Sequence, residues 1–192
     1  IGSTTSKAVN GQLGAATQPT ITVGRSDTAN KNYSIGMAAG YLDKDGVLKQ
    51  TGHVENYGKI DVVGEGGIGM YAAGSGSTAI NHIGAEINLR SSVSKDNPNI
   101  GMFTETLEDG YGSNLFNSGD IIGGDNNYGI YGAYIWHDTG KIKLGNNSVG
   151  IFGLANVVDS PSEVNVTDGE IEVGNNSKGI FVSGSSAASV IN

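Results

Sequence analysis

Carboxylates are the most numerous ionisable side chains of this protein, and they could take part in catalysis or bind a metal ion. Its 192 residues include 19 Asp and Glu but only three His and no Cys. The absence of cysteine excludes disulfides, thiol catalysis and zinc sites built on thiolates. Carboxylates can instead act in pairs on glycosidic bonds, or supply the oxygen ligands that calcium prefers. The positions of the acidic residues therefore decide between an enzyme, a metal site and a binding surface.

Those positions argue against catalysis. Glycan cleavage needs two carboxylates that converge in one cleft, or calcium-binding carboxylates beside a basic proton acceptor. Asp61, Asp120 and Asp125 instead occupy repeat or turn positions, and neither Arg25 nor Arg90 lies beside an acidic cluster. We therefore predict no catalytic residues and a protein that is not an enzyme. A polysaccharide-active lyase or hydrolase is the alternative.

Calcium binding is not predicted either. The segment Asp43-Lys44-Asp45-Gly46 opens like an oxygen-rich loop, but the later ligands and the bidentate Glu of an EF-hand do not follow. The segment Gly123-Gly124-Asp125 does not extend into the nonapeptide repeat that binds calcium in a β-roll. A solvated turn is the simpler interpretation, so we expect no metal and no cofactor.

The elements that carry these residues are copies of one short repeat. Each copy has an alternating apolar strand, a turn at Gly or Gly-Asn, then Gly, an aliphatic residue and usually an aromatic one. The clearest copies are Lys141–Phe152 and Glu170–Phe181, and Asp120–Tyr131 aligns with the first of them 21 positions upstream. A third short apolar segment precedes each new copy. Three strands per round predict a right-handed parallel β-helix of about six coils, with loops inserted at its corners.

Alignment of the copies gives columns of side chains. Because strands alternate between two faces, the first inward column is predicted to hold one Ile from each coil. Its members are Ile21, Ile60, Ile87, Ile121, Ile142 and Ile171. On the outer face, Lys141 is expected to pair with Asp120 and Glu170 on adjacent coils. The turn glycines are expected to adopt positive φ, and His53, His82 and His137 to lie at the surface.

The chain is predicted to form a single domain, with a partial N-terminal coil over residues 1–19 and repeats over 20–192. Its pattern starts and stops within a repeat, so we expect a fragment of a longer array. The formal charge of −8 disfavours nucleic acid and anionic membrane surfaces as partners. No apolar run approaches the roughly 18 residues of a membrane span, so no direct membrane insertion is expected.

Insertions between the strands are the predicted carriers of recognition, although they could simply cover the stack. They occupy residues 25–32, 41–52, 91–98, 104–113 and 154–162. The candidate binding residues come from these loops and from the aromatic cluster that follows residue 133. They are Tyr41, Asp43, Asp45, Glu105, Asp109, Tyr111, Tyr134 and Trp136. Either Ile135 or Trp136 can be the buried member of the cluster.

One aromatic column has two possible orientations. Its members are Tyr71, Phe103, Tyr131, Phe152 and Phe181. Each follows an inward aliphatic residue, so strict alternation places the rings outside, as a candidate surface for sugars or protein. A bend at the preceding Gly would place them inside or in a loop-covered groove. We favour the second orientation, because a long exposed aromatic stripe promotes aggregation.

The copies Lys141–Gly153 and Glu170–Phe181 resemble the repeats of very large fusobacterial autotransporter adhesins, which use type V secretion. The resemblance covers about residues 20–192. It implies a passenger domain on the bacterial cell surface, anchored in the outer membrane through a translocator barrel absent from this chain. It also implies attachment to a host cell-surface protein or glycan, or to other bacteria. The family offers no binding motif to carry over, and a structural stalk with no ligand of its own is a further alternative.

Overall fold

The computed structural model describes residues 6–42, 45, 47–74, 76–105, 113–155, 162–184 and 189–191. Within these ranges the chain forms 21 β-strands and one 3-10 helix, Thr28–Asn30. No helix in this part of the chain has the length and apolar character needed to cross a membrane. The strands are β1 (Ser6–Asn10), β2 (Thr20–Val23), β3 (Ile35–Ala39), β4 (Tyr41–Leu42), β5 (Leu48–Gln50), β6 (Gly52–Asn56), β7 (Lys59–Val62), β8 (Ile68–Ala72), β9 (Thr78–Asn81), β10 (Glu86–Leu89), β11 (Ile100–Thr104), β12 (Asn114–Asn117), β13 (Asp120–Gly123), β14 (Tyr128–Gly132), β15 (Tyr134–His137), β16 (Lys141–Leu144), β17 (Val149–Ala155), β18 (Ser162–Val166), β19 (Glu170–Val173), β20 (Lys178–Gly184) and β21 (Ser189–Ile191).

All strands except the β4–β5 hairpin belong to three parallel sheets. Sheet 1 has the order β1-β6-β9-β12-β15-β18-β21, sheet 2 the order β2-β7-β10-β13-β16-β19, and sheet 3 the order β3-β8-β11-β14-β17-β20. Each coil adds one strand to sheet 1, then one to sheet 2 and one to sheet 3. The fold is therefore a three-sided right-handed parallel β-helix, as the repeat predicts.

Successive coils lie in register, so equivalent residues form continuous columns. The predicted inward column is confirmed in all six strands of sheet 2: Ile21, Ile60, Ile87, Ile121, Ile142 and Ile171. Its four central members are completely buried. Burial of each Ile contributes roughly 1.5–3 kcal/mol before conformational entropy is subtracted. One coil cannot form a core from so few side chains, and the stack supplies it.

The Gly shared by every copy at the second position of the sheet 3 strands allows neighbouring coils to approach closely. A Cβ atom built on Gly69 would lie 2.6 Å from the carbonyl oxygen of Gly101 and 2.8 Å from Ile87 Cγ2. A Cβ atom on Gly101 would lie 2.5 Å from the carbonyl oxygen of Gly129. Any side chain at these positions would therefore push two coils apart.

In the turns between sheets 2 and 3, the prediction that the turn glycines adopt positive φ is wrong. Positive φ occurs two residues after the turn Gly, at Asn126, Asn147 and Asn176, whose φ angles are 58°, 54° and 56°. The turn glycines themselves do not have positive φ. A Cβ atom on Gly174 would lie 2.8 Å from the backbone nitrogen of Asn146 on the adjacent coil. Glycine is needed here for close approach, and asparagine tolerates the left-handed conformation.

A ladder of buried amides runs along one end of sheet 1. Asn10 Nδ2 donates to Asn56 Oδ1 at 2.8 Å, and Asn56 Nδ2 donates to Asn81 Oδ1 at 2.9 Å. Asn81 Nδ2 then donates to Asn117 Oδ1 at 2.8 Å, and Asn117 Nδ2 lies 3.1 Å from His137 Nδ1. His137 is completely buried, so its predicted surface position is wrong. Burial is tolerated because stacked polar groups satisfy one another.

Ion pairs on the outer face of sheet 2 also join adjacent coils. Lys141 Nζ lies 3.1 Å from Glu170 and 2.7 Å from Glu172, while Lys143 Nζ lies 2.9 Å from Glu172. The predicted side-chain pair between Lys141 and Asp120 is wrong. Asp120 Oδ1 instead accepts a 2.8 Å hydrogen bond from the Lys141 backbone nitrogen. Two carboxylates on the following coil attract the ammonium group away from Asp120.

Candidate functional site

The long insertions gather at two edges of the prism. Insertions 25–32 and 91–98 join strands of sheet 2 to strands of sheet 3, and we call this edge the 2–3 corner. Insertions 41–52, 104–113 and 154–162 join sheet 3 to sheet 1, and we call this edge the 3–1 corner. Because coils stack in register, insertions 25–32 and 91–98 lie on the same edge, on the coils before and after the turn at residues 64–67.

Of the loop residues predicted from the sequence, Tyr41, Asp45 and Glu105 lie at the 3–1 corner. Asp43, Asp109 and Tyr111 lie outside the described residues. Asp45 is exposed, and Tyr41 is 57% exposed on β4, where it lines a groove of about 240 Å³.

Glu105 also lies at the 3–1 corner, where its side chain bonds to a neighbouring tyrosine. Its carboxylate accepts a hydrogen bond from the Tyr71 hydroxyl. Burial, and then the charge and hydrogen bond of Glu105, raise the pKa of Tyr71 far above its ordinary value. The Glu105 side chain therefore covers one end of the aromatic column rather than projecting freely.

The cluster on β15 is resolved by the register of sheet 1. Ile135 is completely buried, so Trp136 points outward, where its ring stacks on Phe116 with centroids 4.8 Å apart. Tyr134 occupies the same outer face and is half-buried. Alternation in the sequence left open whether Ile135 or Trp136 is buried. The pairing of Ile135 with the buried Leu115 shows that it is Ile135. The two aromatic candidates thus belong to a sheet face, away from the loops of the 2–3 corner.

The aromatic column lies on the outer face of sheet 3, so the favoured inner position is wrong. Its rings follow the strand register, with Phe103 beside Tyr71 and Tyr131, and Phe152 beside Phe181. The rings are half-buried, except that Phe181 in the last coil is exposed. Side chains continue to alternate between the two faces of the strand through the Gly, so the rings point outward. Because the rings stack on one another, they expose less apolar surface than separate rings would.

Stacking also limits what the column can bind. The centroids of Tyr131 and Phe152 are 4.8 Å apart and their planes differ by 15°; those of Phe103 and Tyr131 are 5.2 Å apart with an 18° difference. Ring faces are therefore covered by neighbouring rings, and ring edges point to solvent. A sugar cannot lie flat on rings in the middle of this column, so its role along most of its length is to hold the coils together.

A groove at the 2–3 corner uses the edge of this column as its floor. The turn at residues 64–67 is short, and the longer insertions on the coils before and after it form two walls. The resulting apolar groove has a volume of about 470 Å³. It is lined by Thr28, Ala29, Tyr33, Gly66, Ile68, Asp96, Asn97, Pro98, Ile100, Phe103 and Tyr131.

A second groove lies on the other side of insertion 91–98 and shares Asp96 with the first. Its volume is also about 470 Å³. We call it the lysine groove, and it is lined by Lys95, Asp96, Asn126, Tyr128, Asn147, Ser148, Val149, Asn176 and Lys178. The described members of the predicted set of binding residues line neither groove, but Phe103 and Tyr131 of the aromatic column line the apolar groove. The signal available in the sequence was the length of two insertions on nearby coils.

Hydrogen bonds hold the wall between the two grooves in place. Ser92 Oγ donates to Asn127 Oδ1 at 2.9 Å and accepts from the Asn99 backbone nitrogen at 2.8 Å. Asn126 Nδ2 donates to the Ser92 carbonyl oxygen at 2.8 Å. The base of insertion 91–98 is therefore tied to the next turn, so the lysine groove has a fixed wall and does not depend on binding for its shape.

A polar cluster on the outer face of sheet 1 was not foreseen. Glu55 lies 2.7 Å from Lys7 Nζ, accepts a 3.1 Å hydrogen bond from the Tyr57 hydroxyl, and lies 3.4 Å from His82 Nε2. Burial raises the pKa of Glu55, but the hydrogen bonds from Lys7 and Tyr57 outweigh burial and lower it. The cluster contains one carboxylate, which Lys7 neutralises, rather than the converging pair that glycan hydrolysis uses.

The other acidic candidates for catalysis are engaged in joining coils. Asp61 accepts a 2.8 Å hydrogen bond from Asn88, and Asp125 accepts a 2.6 Å hydrogen bond from the Asn146 backbone nitrogen. Among the residues that the structure describes, no group of three or more His, Cys, Asp or Glu side chains is arranged to hold a metal ion. The geometry at the 2–3 corner instead suits binding, with rigid walls, apolar ring edges and a few polar groups.

Comparison with known families adds one match. Residues 2–106 match the family described as the BigA third pectate lyase-like domain, and this range covers more than half of the 192 residues. The chain belongs to this family. The match is consistent with the three-sided β-helix. No curated protein and no solved structure matches the chain significantly.

Proposed function

We propose that this chain is part of the passenger domain of a bacterial surface adhesin, and that it attaches the cell to a host surface or to other bacteria. In this proposal the β-helix is a rigid support, and type V secretion displays it outside the outer membrane. A host protein or a glycan binds at the grooves of the 2–3 corner. The chain has no catalytic activity of its own.

The observation that carries this proposal is the pair of grooves on one edge of the prism. Each has a volume of about 470 Å³, in the range that ligand sites occupy. Their walls are loops, while their floor is the stacked sheet, so variable loop residues are presented by a fixed scaffold. Membership of the BigA third pectate lyase-like domain family and the resemblance to autotransporter repeats support a surface β-helix protein.

Attachment can be tested with the purified, fluorescently labelled chain on cultured epithelial cells and on other bacteria. Tyr33 is 49% exposed at the rim of the apolar groove, so Tyr33→Ser is expected to weaken attachment at least fivefold. Tyr41→Ser changes a tyrosine at the 3–1 corner that is 57% exposed, and Ile83→Ser removes an apolar side chain, 64% exposed, that lines neither groove. Both controls are expected to bind like wild type.

The same experiment separates the alternatives. A lyase or hydrolase would release oligosaccharides when the chain is incubated with acidic polysaccharides, and that result would overturn the adhesin proposal. Absence of both attachment and turnover would favour a structural stalk. Loss of attachment in Tyr41→Ser but not in Tyr33→Ser would move the binding surface to the 3–1 corner.

A further inference from the structure

We propose that the lysine groove binds a carboxylate-bearing sugar, such as a uronic or sialic acid within a glycan. This inference rests on the proposed attachment function and names the chemical class of its ligand. Lys95 and Lys178 contact the sugar carboxylate, Asn147 and Asn176 contact its hydroxyls, and Tyr128 packs against its apolar edge.

The lysines of this groove differ from the lysines on the sheet faces in their ion pairing. On the sheet faces, Lys7, Lys59, Lys141 and Lys143 each form an ion pair with a carboxylate. Within the described ranges, neither Lys95 nor Lys178 forms one, although both line the same groove. Lys178 Nζ lies 4.1 Å from the centre of the Phe181 ring, a contact that holds the ammonium group without neutralising it.

The net charge of the groove is opposite in sign to that of the whole chain. The chain has a formal charge of −8, yet this groove has two lysines and one carboxylate, Asp96. Asp96 accepts a 3.2 Å hydrogen bond from Ser94 Oγ on its own loop. The local excess of positive charge on an acidic molecule selects an anionic ligand and steers it to this position. Two lysines are too few for a nucleic acid, which needs a basic stripe.

A row of asparagines occupies the left-handed turn positions. The backbone nitrogens of Asn126 and Asn147 donate to the next coil, each at 2.9 Å, to the carbonyl oxygens of Asn146 and Asn175. The side chains of Asn147 and Asn176 are exposed, and neither amide has a partner within the part of the chain that the structure describes. Each offers two donors and an acceptor at fixed positions, which is the chemistry that recognises sugar hydroxyls.

Tyr128 adds an apolar surface to the groove and lies in the same sheet 3 column as Lys178, two coils away. Tyr128 is half-buried, and its ring centroid lies 5.9 Å from that of Tyr131 and 6.1 Å from that of Phe152. These two ring contacts hold Tyr128 against the column while part of its ring lines the groove. Such a surface packs against the C–H groups of a sugar ring, whereas a simple inorganic anion would gain nothing from it.

Titration calorimetry on the purified chain tests the inference with two matched pairs of probes. The acidic probes are a galacturonic acid tetramer and sialyllactose, and the neutral probes are a galactose tetramer and lactose. Wild type is expected to bind at least one acidic probe and to bind its neutral counterpart at least tenfold more weakly. Lys95→Ala and Lys178→Ala are each expected to lower affinity about tenfold.

Two further variants test the amides and the charge. Asn176→Gly keeps a residue that tolerates positive φ and removes the amide, so we expect weaker binding with an unchanged melting temperature. Lys143→Gln removes the same unit of charge from the face of sheet 2 and is expected to bind like wild type. Equal affinity for acidic and neutral probes, or equal loss in Lys143→Gln and Lys95→Ala, would overturn the inference.

The outcome also separates this inference from the attachment function. If wild type attaches to cells but binds none of the four probes, the acidic-sugar assignment is wrong and attachment stands. If it binds an acidic probe through Lys95 and Lys178 but attaches to no cell, the assignment stands and the attachment function is wrong.

Discussion

Glycine and asparagine set the distance between coils at the scale of single residues. Gly69 and its equivalents let backbones of adjacent coils approach, while Asn147 and Asn176 supply left-handed turns. The two residue types are not interchangeable, because one position is limited by space and the other by conformation.

Substitution of the close-approach glycine should therefore be costly. Gly69→Ala places a methyl group 2.6 Å from the Gly101 carbonyl oxygen, and we expect a loss of about 1–3 kcal/mol in unfolding free energy. Gly179→Ala is the matched control, because the nearest atom would be 3.9 Å away. Urea denaturation followed by circular dichroism measures both. Equal stability of the two variants would contradict the proposed reason for this glycine.

Glu172 gives a prediction about pH. Hydrogen bonds from Lys141 and Lys143 lower its pKa from 4.5 to about 2. A carboxylate whose pKa is lower in the folded chain contributes stability above its unfolded pKa, and this contribution is lost as pH falls toward the folded pKa. Between pH 4.5 and about pH 2, the melting temperature of wild type should therefore fall more steeply than that of Glu172→Gln. Lys143→Met should show an intermediate slope, and parallel curves for wild type and Glu172→Gln would be inconsistent with the ion-pair ladder.

The stacked column is the unit of stability at the scale of elements. Sheet 2 contributes an aliphatic column, sheet 3 a half-buried aromatic column, and sheet 1 the ladder of amides that ends at His137. Each column joins several successive coils, so the loss of one member affects the groups before and after it.

The amide ladder provides a direct test of this idea. Asn81→Ala would remove the acceptor of Asn56 and the donor to Asn117, which are buried. The expected cost is roughly 1–3 kcal/mol for each buried group left without a partner. Asn88→Ala removes a half-buried outer amide that bonds to Asp61, and we expect a cost below about 1.5 kcal/mol. Denaturant titration compares the two, and similar losses would argue against a cooperative ladder.

The whole molecule tolerates change at its corners and not within its columns. Loops of different length occur at the 2–3 and 3–1 corners without any shift of strand register. The apolar and lysine grooves arise at this scale, because long insertions lie beside short turns along one edge. Neither groove exists in any single coil.

Two insertions of one Ala test this asymmetry. An insertion between Ile121 and Ile122 moves the rest of β13 to the opposite face, so we expect loss of the cooperative melting transition. An insertion after Leu13, which is 66% exposed, lies in a surface loop outside the three sheets and leaves Gly14 in place. We expect its unfolding free energy to stay within about 0.5 kcal/mol of wild type. Thermal melts with limited proteolysis measure both, and equal tolerance would refute the assigned faces.

The sequence by itself determined the three-sided β-helix and the inward column that includes Ile60 and Ile142. These features follow from alternation and repeat length, which are local properties of the chain. It also located the insertions, although not the residues within them that line the grooves.

Only the tertiary structure decided which polar and aromatic side chains are covered. His137 is buried because Asn117 on the coil below it offers a partner, and Trp136 points outward because Ile135 pairs with Leu115. Lys141 pairs with Glu170 and Glu172 because these two carboxylates lie on the adjacent coil. Each choice depends on side chains about 20 to 30 residues away, and on the space that their loops leave, which no local pattern specifies.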